Sequence, residues 1–438
     1  MRSLRRPFAA AVTVGAAALA VAGCGSSSSS SSASASPSSS ASASASASTS
    51  AASTTASAGA SVFGTAHKAT GTPYVFGLIN DETGPVTFPE ARQGEIAAAD
   101  YINNYLDGIN GHPIVLDDCI GDGTAPTGAR CASELVSKHP LAILGAADTG
   151  SPGSEPVYAR AGLAYLGGIP FTPVEQNAPN SIQFWSVSLG DNAAASVYAG
   201  KTLGAKSAAV MYFDNSQGKV AGLGIIPPVL AAAGVKNVKT IAVPPTSPDP
   251  SPEVATAVAA HPDVVYVDIP NNCGVVLKDL KSLGYSGKLI GIDPCTSPQA
   301  IASAAGAAQG MYVASPFILP YGGTAQGKLF LAALGKYGAP NTAIDSIAEA
   351  GFATVMNVQA ALKTIKGTPT TASILKVFKT GSDHPNYLSH PYTCNGQAVA
   401  KAVSICNDYY LMEQIEGTKP VQSSTTDWIT SKGYFKGL

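Results

Sequence analysis

Charge is scarce in this chain. Lys, Arg, Asp and Glu make up 12% of 438 residues, and the formal net charge is -2. There is no basic field to hold nucleic acid and no polybasic patch to hold anionic lipid, which argues against both partners. No C-x-x-C pair occurs, and none of the six histidines stands at ligand spacing from a cysteine, so no metal site is expected. G-x-S-x-G and H-E-x-x-H are also missing, which argues against the familiar exported hydrolases. His67, His112, His139, His261, His384 and His390 fall in the tether, in loops or at element ends. Nothing calls for a cofactor. The one strongly apolar N-terminal run, Phe8 to Ala22, falls short of the roughly 20 residues a membrane-spanning helix needs.

What is there begins with that run. Arg2, Arg5 and Arg6 precede it and small residues close it, the pattern of a secretory signal over residues 1–23. Val21-Ala22-Gly23-Cys24 resembles the lipobox of bacterial lipoproteins. That resemblance implies a lipidated Cys24 at the mature N-terminus, anchoring the exported chain to the outer face of the cell membrane. Residues 24–71 are almost all Ser, Ala and Thr, with too little to bury to offset the entropy of ordering. They read as a disordered tether with an end-to-end distance of about 35 to 40 Å. Contact with the membrane is expected only through the anchor.

About 365 residues remain, more than one hydrophobic core usually holds, so two lobes are expected. Six cysteines beyond Cys24 in an exported chain point to three disulfides. Connectivity stays open, but spacing favours Cys119 with Cys131, Cys273 with Cys295, and Cys394 with Cys406.

Along the chain, short Val/Ile/Leu-rich runs alternate with helical patterns. "PYVFGLIN", "PIVLDD", "LAILG" and "LAYLGG" form one set; "SAAVMYF", "VKTIAV", "PDVVYVDIP", "KLIGID" and "GMYVASPF" form a second. Unbroken apolar strands that each precede a helix predict parallel sheets covered on both faces. Pro227-Pro228 predicts a helix break with a restart at the prolines. From Ala325 the pattern turns helical and ends in strand-like "CNDYYLMEQIEG".

Thr83-Gly84-Pro85 after the first strand, Ile109-Asn110-Gly111 after the first helix, and Asp117-Asp118 ending the second strand come in that order. With "LAILGAADTGSPGSEP", they resemble the type I periplasmic binding proteins of the leucine/isoleucine/valine-binding kind, the receptors of amino-acid ABC importers. The resemblance runs clearly from Pro73 to Phe317 and loosely beyond. It implies an α/β fold of two doubly wound parallel-sheet lobes joined by a three-crossover hinge, with the ligand in the cleft between them. The expected boundaries are 72–190 plus 319–392 for the first lobe and 191–318 plus 393–438 for the second.

Candidate contacts follow from strand ends. Thr149 and Ser151 open a helix whose free N–H groups suit a carboxylate, and in the family the corresponding loop holds one; helix capping is the competing role. Gly168 and Thr172 are the approximate matches in the next loop. Thr83 lines the mouth or forms its turn. From the second lobe come Gln217, where relatives often carry an aromatic, Asn271 with Asn272, and Asp293, placed to pair with a ligand ammonium or to cap its own turn. The expected function is that of a monomeric solute-binding lipoprotein, not an enzyme. It would bind an amino acid or similar small polar solute by hinge closure and present it to an ABC permease. A ligand-sensing receptor without transport is the main alternative, and an exported hydrolase a lesser one.

Overall fold

The computed structural model describes residues 61–436 apart from Pro85, Thr246, Pro248, Ser423 and Thr425, with the backbone alone for Val187, Ser188, Ser216 and Gln217. The expected signal peptide, Cys24 and tether residues up to 60 lie outside the described residues.

Residues 61–71 do not belong to a tether. The Phe63 ring packs on Tyr101 and Tyr105, 5.9 and 5.1 Å between centroids. Ala69 is buried, and its N–H donates to the Asn103 carbonyl at 2.9 Å. One aromatic at the end of a Ser/Ala tract is enough to dock the segment.

The first sheet contains β1 (Tyr74–Asp81), β2 (Ile114–Gly121), β3 (Ile143–Gly145), β4 (Tyr165–Leu166) and β5 (Ser181–Ile182), in the order β2-β1-β3-β4-β5 with every pairing parallel. The last six residues of β1 are all buried, as a strand covered on both faces should be. The helix Pro89–Tyr105 starts on its proline and buries Ala97, Ala98 and Ile102. The later helices Ala325–Tyr337, Ser346–Leu362 and Thr371–Lys379 return to this lobe, where Phe330, Phe352 and Phe378 share one core with Phe76 and Leu144.

The second sheet contains β6 (Ser207–Phe213), β7 (Asn237–Val243), β8 (Val264–Asp268), β9 (Lys288–Gly291) and β10 (Tyr312–Ser315), all parallel, in the order β10-β9-β8-β6-β7. The chain's end extends it with antiparallel β11 (Tyr409–Glu416) and β12 (Lys419–Gln422), while β13 (Ile429–Thr430) pairs with β11. At Pro227-Pro228 the chain stays helical. A π-helical stretch, Val220–Ile225, leads into the helix Ile226–Ala233, whose first turn takes the prolines. The Ile226 N–H still bonds back to the Ala221 carbonyl, and the fixed φ of the two prolines after it suits the first turn of a helix.

Three segments pass between the lobes. Gln183 bridges to Ile405, and Phe317 bridges to Ser389. Trp185 and Phe317, both fully buried, meet edge to face at 4.9 Å, and the Ser186 and Tyr410 hydroxyls lie 2.5 Å apart. Gly190 makes this closeness possible, since a Cβ there would run into the Tyr410 hydroxyl. The three disulfides are Cys119–Cys131, Cys273–Cys295 and Cys394–Cys406. The middle one spans the ends of adjacent strands β8 and β9, close enough for a bridge without distortion.

Candidate functional site

An open parallel sheet binds ligands outside the carboxyl ends of its strands, where the strand order reverses. In the first sheet that point lies between β1 and β3, and in the second between β6 and β8. Each carries a buried aspartate at a strand end, Asp81 and Asp268.

Asp81 holds the first loop. Its carboxylate accepts from the Gly123 N–H at 3.1 Å, the Thr149 N–H at 2.8 Å and the Thr149 hydroxyl at 2.7 Å. Thr149 is only half-buried, but its donors are already engaged. Ser151 is fully buried, and its hydroxyl shares a 2.6 Å hydrogen bond with that of Thr172, so the fold brings these two candidates together. Thr172 precedes the short helix Pro173–Asn177, and the Glu175 carboxylate accepts from its N–H at 2.7 Å. Gly168 takes a positive φ of 88°, and its N–H donates to the Thr354 hydroxyl at 3.1 Å. A side chain there would meet the Gly145 backbone, so its role is close packing. Thr83 is exposed, and its hydroxyl donates to the Gly121 carbonyl at 2.9 Å, which makes it a turn-former at the rim.

On the second lobe, Asn271 is exposed and Asn272 starts the helix Cys273–Ser282 without a side-chain cap. Gln217 lies in the short helix Ser216–Lys219, and its side chain is outside the described residues. Asp293 opens the 3-10 turn Asp293–Thr296 after β9. Burial, and then the charge of Asp345, push its carboxyl up to about 6 against the hydrogen bond of the Ser346 hydroxyl. Asp345 and Ser346 belong to a helix of the first lobe, so the Asp293 carboxyl faces that lobe.

Sequence reasoning missed the rest of this acidic surround. Asp345 caps the helix Ser346–Leu362, accepting from the Ala348 N–H at 3.0 Å. Glu349, one turn on, is 3% exposed; burial and the charges of Glu413, Asp345 and Asp293 hold its carboxyl well above the usual range. Glu90, in the first turn of Pro89–Tyr105, is raised to about 7, by burial first and by Asp345 next. Glu413 on β11 reaches about 8 through burial and Asp293. Asp268 is pushed up to about 7 by burial alone. Two signals were available: the Asp345-to-Glu349 spacing at a helix start, and Glu413 set inside an apolar strand. Among the described residues no group of His, Cys, Asp or Glu could hold a metal ion.

A family model described as periplasmic binding protein matches residues 73–413. The chain belongs to the periplasmic binding proteins. Members of this family bind solutes and do not transform them. No curated protein matches this periplasmic binding protein in sequence, but solved structures share its fold. A leucine-binding protein from Thermotoga maritima is 16% identical with a TM-score of 0.64, covering 81% of this chain and 98% of its own. The substrate-binding protein of a branched-chain amino acid transporter from Streptococcus pneumoniae, in complex with isoleucine, is 17% identical with a TM-score of 0.63, covering 80% and 100%. A solute-binding protein of an ABC transporter from R. palustris, in complex with 4-hydroxybenzoate, is 14% identical with a TM-score of 0.66, covering 80% and 96%. At such identities the likeness carries the fold alone. In this periplasmic binding protein, no helix among the described residues is long and apolar enough to cross a membrane.

Proposed function

We propose that this protein is the extracytoplasmic receptor of an ABC importer, clasping a small polar solute between its lobes and presenting the closed form to a permease. The observation that supports this reading most is the pairing of two strand-order reversals, one per sheet, across a three-segment hinge. Closure on such a hinge buries a ligand without changing it chemically. Thr83, Thr149, Gln217, Asn271 and Asp293 are assigned to the walls of the site, with Ser151, Gly168 and Thr172 holding the first-lobe loop in shape. The chain works as a monomer, tied to the outer membrane face through Cys24.

Small-angle X-ray scattering of the full chain tests the clasp. Adding the solute must shrink the radius of gyration, and deletion of the gene must abolish uptake of that solute. Binding without compaction would remove the hinge mechanism, and compaction with unimpaired uptake would favour a sensor.

A further inference from the structure

The solute's chemistry is open in the reading above, and the inference that follows rests on that reading. The first sheet reverses its strand order at β1, with β2 on one side and β3 on the other. The loops that leave those two neighbours each send donors to the end of β1. Gly123, after β2, and Thr149, after β3, direct two N–H groups and a hydroxyl at a single carboxylate, that of Asp81, over 2.7 to 3.1 Å. Amides and a hydroxyl that converge from separate loops at a strand-order reversal make an anion site. Two glycines keep room for the anion: a Cβ at Gly121 would run into the Asp81 carboxylate, and one at Gly123 into the Thr149 hydroxyl. The anion in this site belongs to the chain itself, and Asp81 is 1% exposed.

The neighbouring donors are engaged as well. Pro152 has no N–H, and the N–H groups of Ser151 and Gly153 donate to the Asp148 and Gly150 carbonyls at 3.3 and 2.8 Å. The Ser154 hydroxyl donates to the Asp148 carboxyl at 2.5 Å, and the Thr172 N–H to that of Glu175 at 2.7 Å. The Ser151 hydroxyl is held between Thr172 and the Glu175 carboxyl. A solute carboxylate arriving at these strand ends would find these donors taken and Asp81 beside it. Like charges in contact repel, and a carboxylate that sheds water without gaining donors is strongly disfavoured. A neutral group meets neither penalty.

We propose that Asp81 stands in the place of a bound carboxylate and closes the first lobe to amino acids and other organic acids, so that the solute presents an uncharged polar group to this lobe.

The test is thermal shift and calorimetry on the full chain and on its Asp81→Ala variant, with acetate, acetamide and leucine at matched ionic strength. Asp81→Ala empties the site and leaves its three donors without an acceptor. A ligand bound only by the folded state raises the melting temperature. Acetate should therefore raise that of the variant by several degrees and leave the wild type unmoved. Acetamide, of the same shape without the charge, should move neither. Leucine should be silent on the wild type and bind the variant at least about tenfold more tightly, one charge-assisted contact regained. Should Asp81→Ala fold only when acetate is present, that dependence is the same result. Leucine or acetate binding to the wild type would overturn the inference. So would a variant that acetate does not rescue, that acetamide rescues equally, or that gains no affinity for leucine. Leucine that binds and compacts the wild type would remove the role of Asp81 and leave the solute clasp standing. Acetate rescue and leucine gain in a chain that no solute compacts would take down the clasp and leave the role of Asp81 in place.

Discussion

At the scale of single residues, Asp81 organises the loops at the carboxyl end of the first sheet. Asp81→Ala would leave the Gly123 N–H, the Thr149 N–H and the Thr149 hydroxyl without their acceptor. Buried donors stripped of a charged acceptor cost about 2 to 4 kcal/mol together, a loss to be measured by urea denaturation. A decrease below about 0.5 kcal/mol would mean that water replaces the carboxylate. The sequence makes Thr149, Ser151 and Thr172 legible as hydroxyls at strand ends, because strand and helix patterns locate those ends. Their partners are not legible, since Asp81 lies 68 residues from Thr149 and the choice between capping and ligand contact is made by tertiary approach. Glu349 and Glu413 escaped notice for a similar reason: burial of an acid depends on the neighbours the fold brings to it.

Elements were far easier to read. β6 and β8 are short apolar runs, almost wholly buried, whose composition admits little else, whereas β2 and β7 mix Asp, Lys, Asn and Thr among their apolar residues and were located by their place in the strand-helix alternation. The strands β4 and β5 keep only two residues each, where the chain leaves the sheet for the hinge. Residues 61–71 misled because low complexity and packing are not mutually exclusive once a single Phe is present. The disulfides were readable from spacing and compartment, and Cys273–Cys295 should be structural. Its replacement by two alanines opens a link with a sequence separation of 22. Chain entropy sets the cost at about 3 kcal/mol, seen as a lower denaturant midpoint.

For the molecule as a whole, the buried acids set the response to pH. Glu413 is raised to about 8, and Asp268, Glu90, Asp148 and Glu155 to about 7, in each case chiefly by burial. Their unfolded counterparts titrate near 4, so the native state holds more protons between the two values. Stability then falls as pH rises, being greatest below about 4 and declining through about 8. Melting temperatures recorded across that window should drop steadily, and Glu413→Gln should flatten the curve at its alkaline end. A rise over the same range would mean that these carboxyls are ionised and paired in solution. The two-lobed plan was legible because two sets of strand-helix alternation cannot share one sheet of ordinary width. The return of the helices from Ala325 onward to the first lobe followed only from family resemblance, since their apolar faces do not name their partner.

Phe63 sits under Lys336, whose ammonium lies 4.9 Å from the ring centre, and against Tyr101, Tyr105 and Tyr337. That cluster fastens residues 61–71 to the helices Pro89–Tyr105 and Ala325–Tyr337 of the first lobe, so whatever load the segment carries passes into those two helices and not into the second sheet.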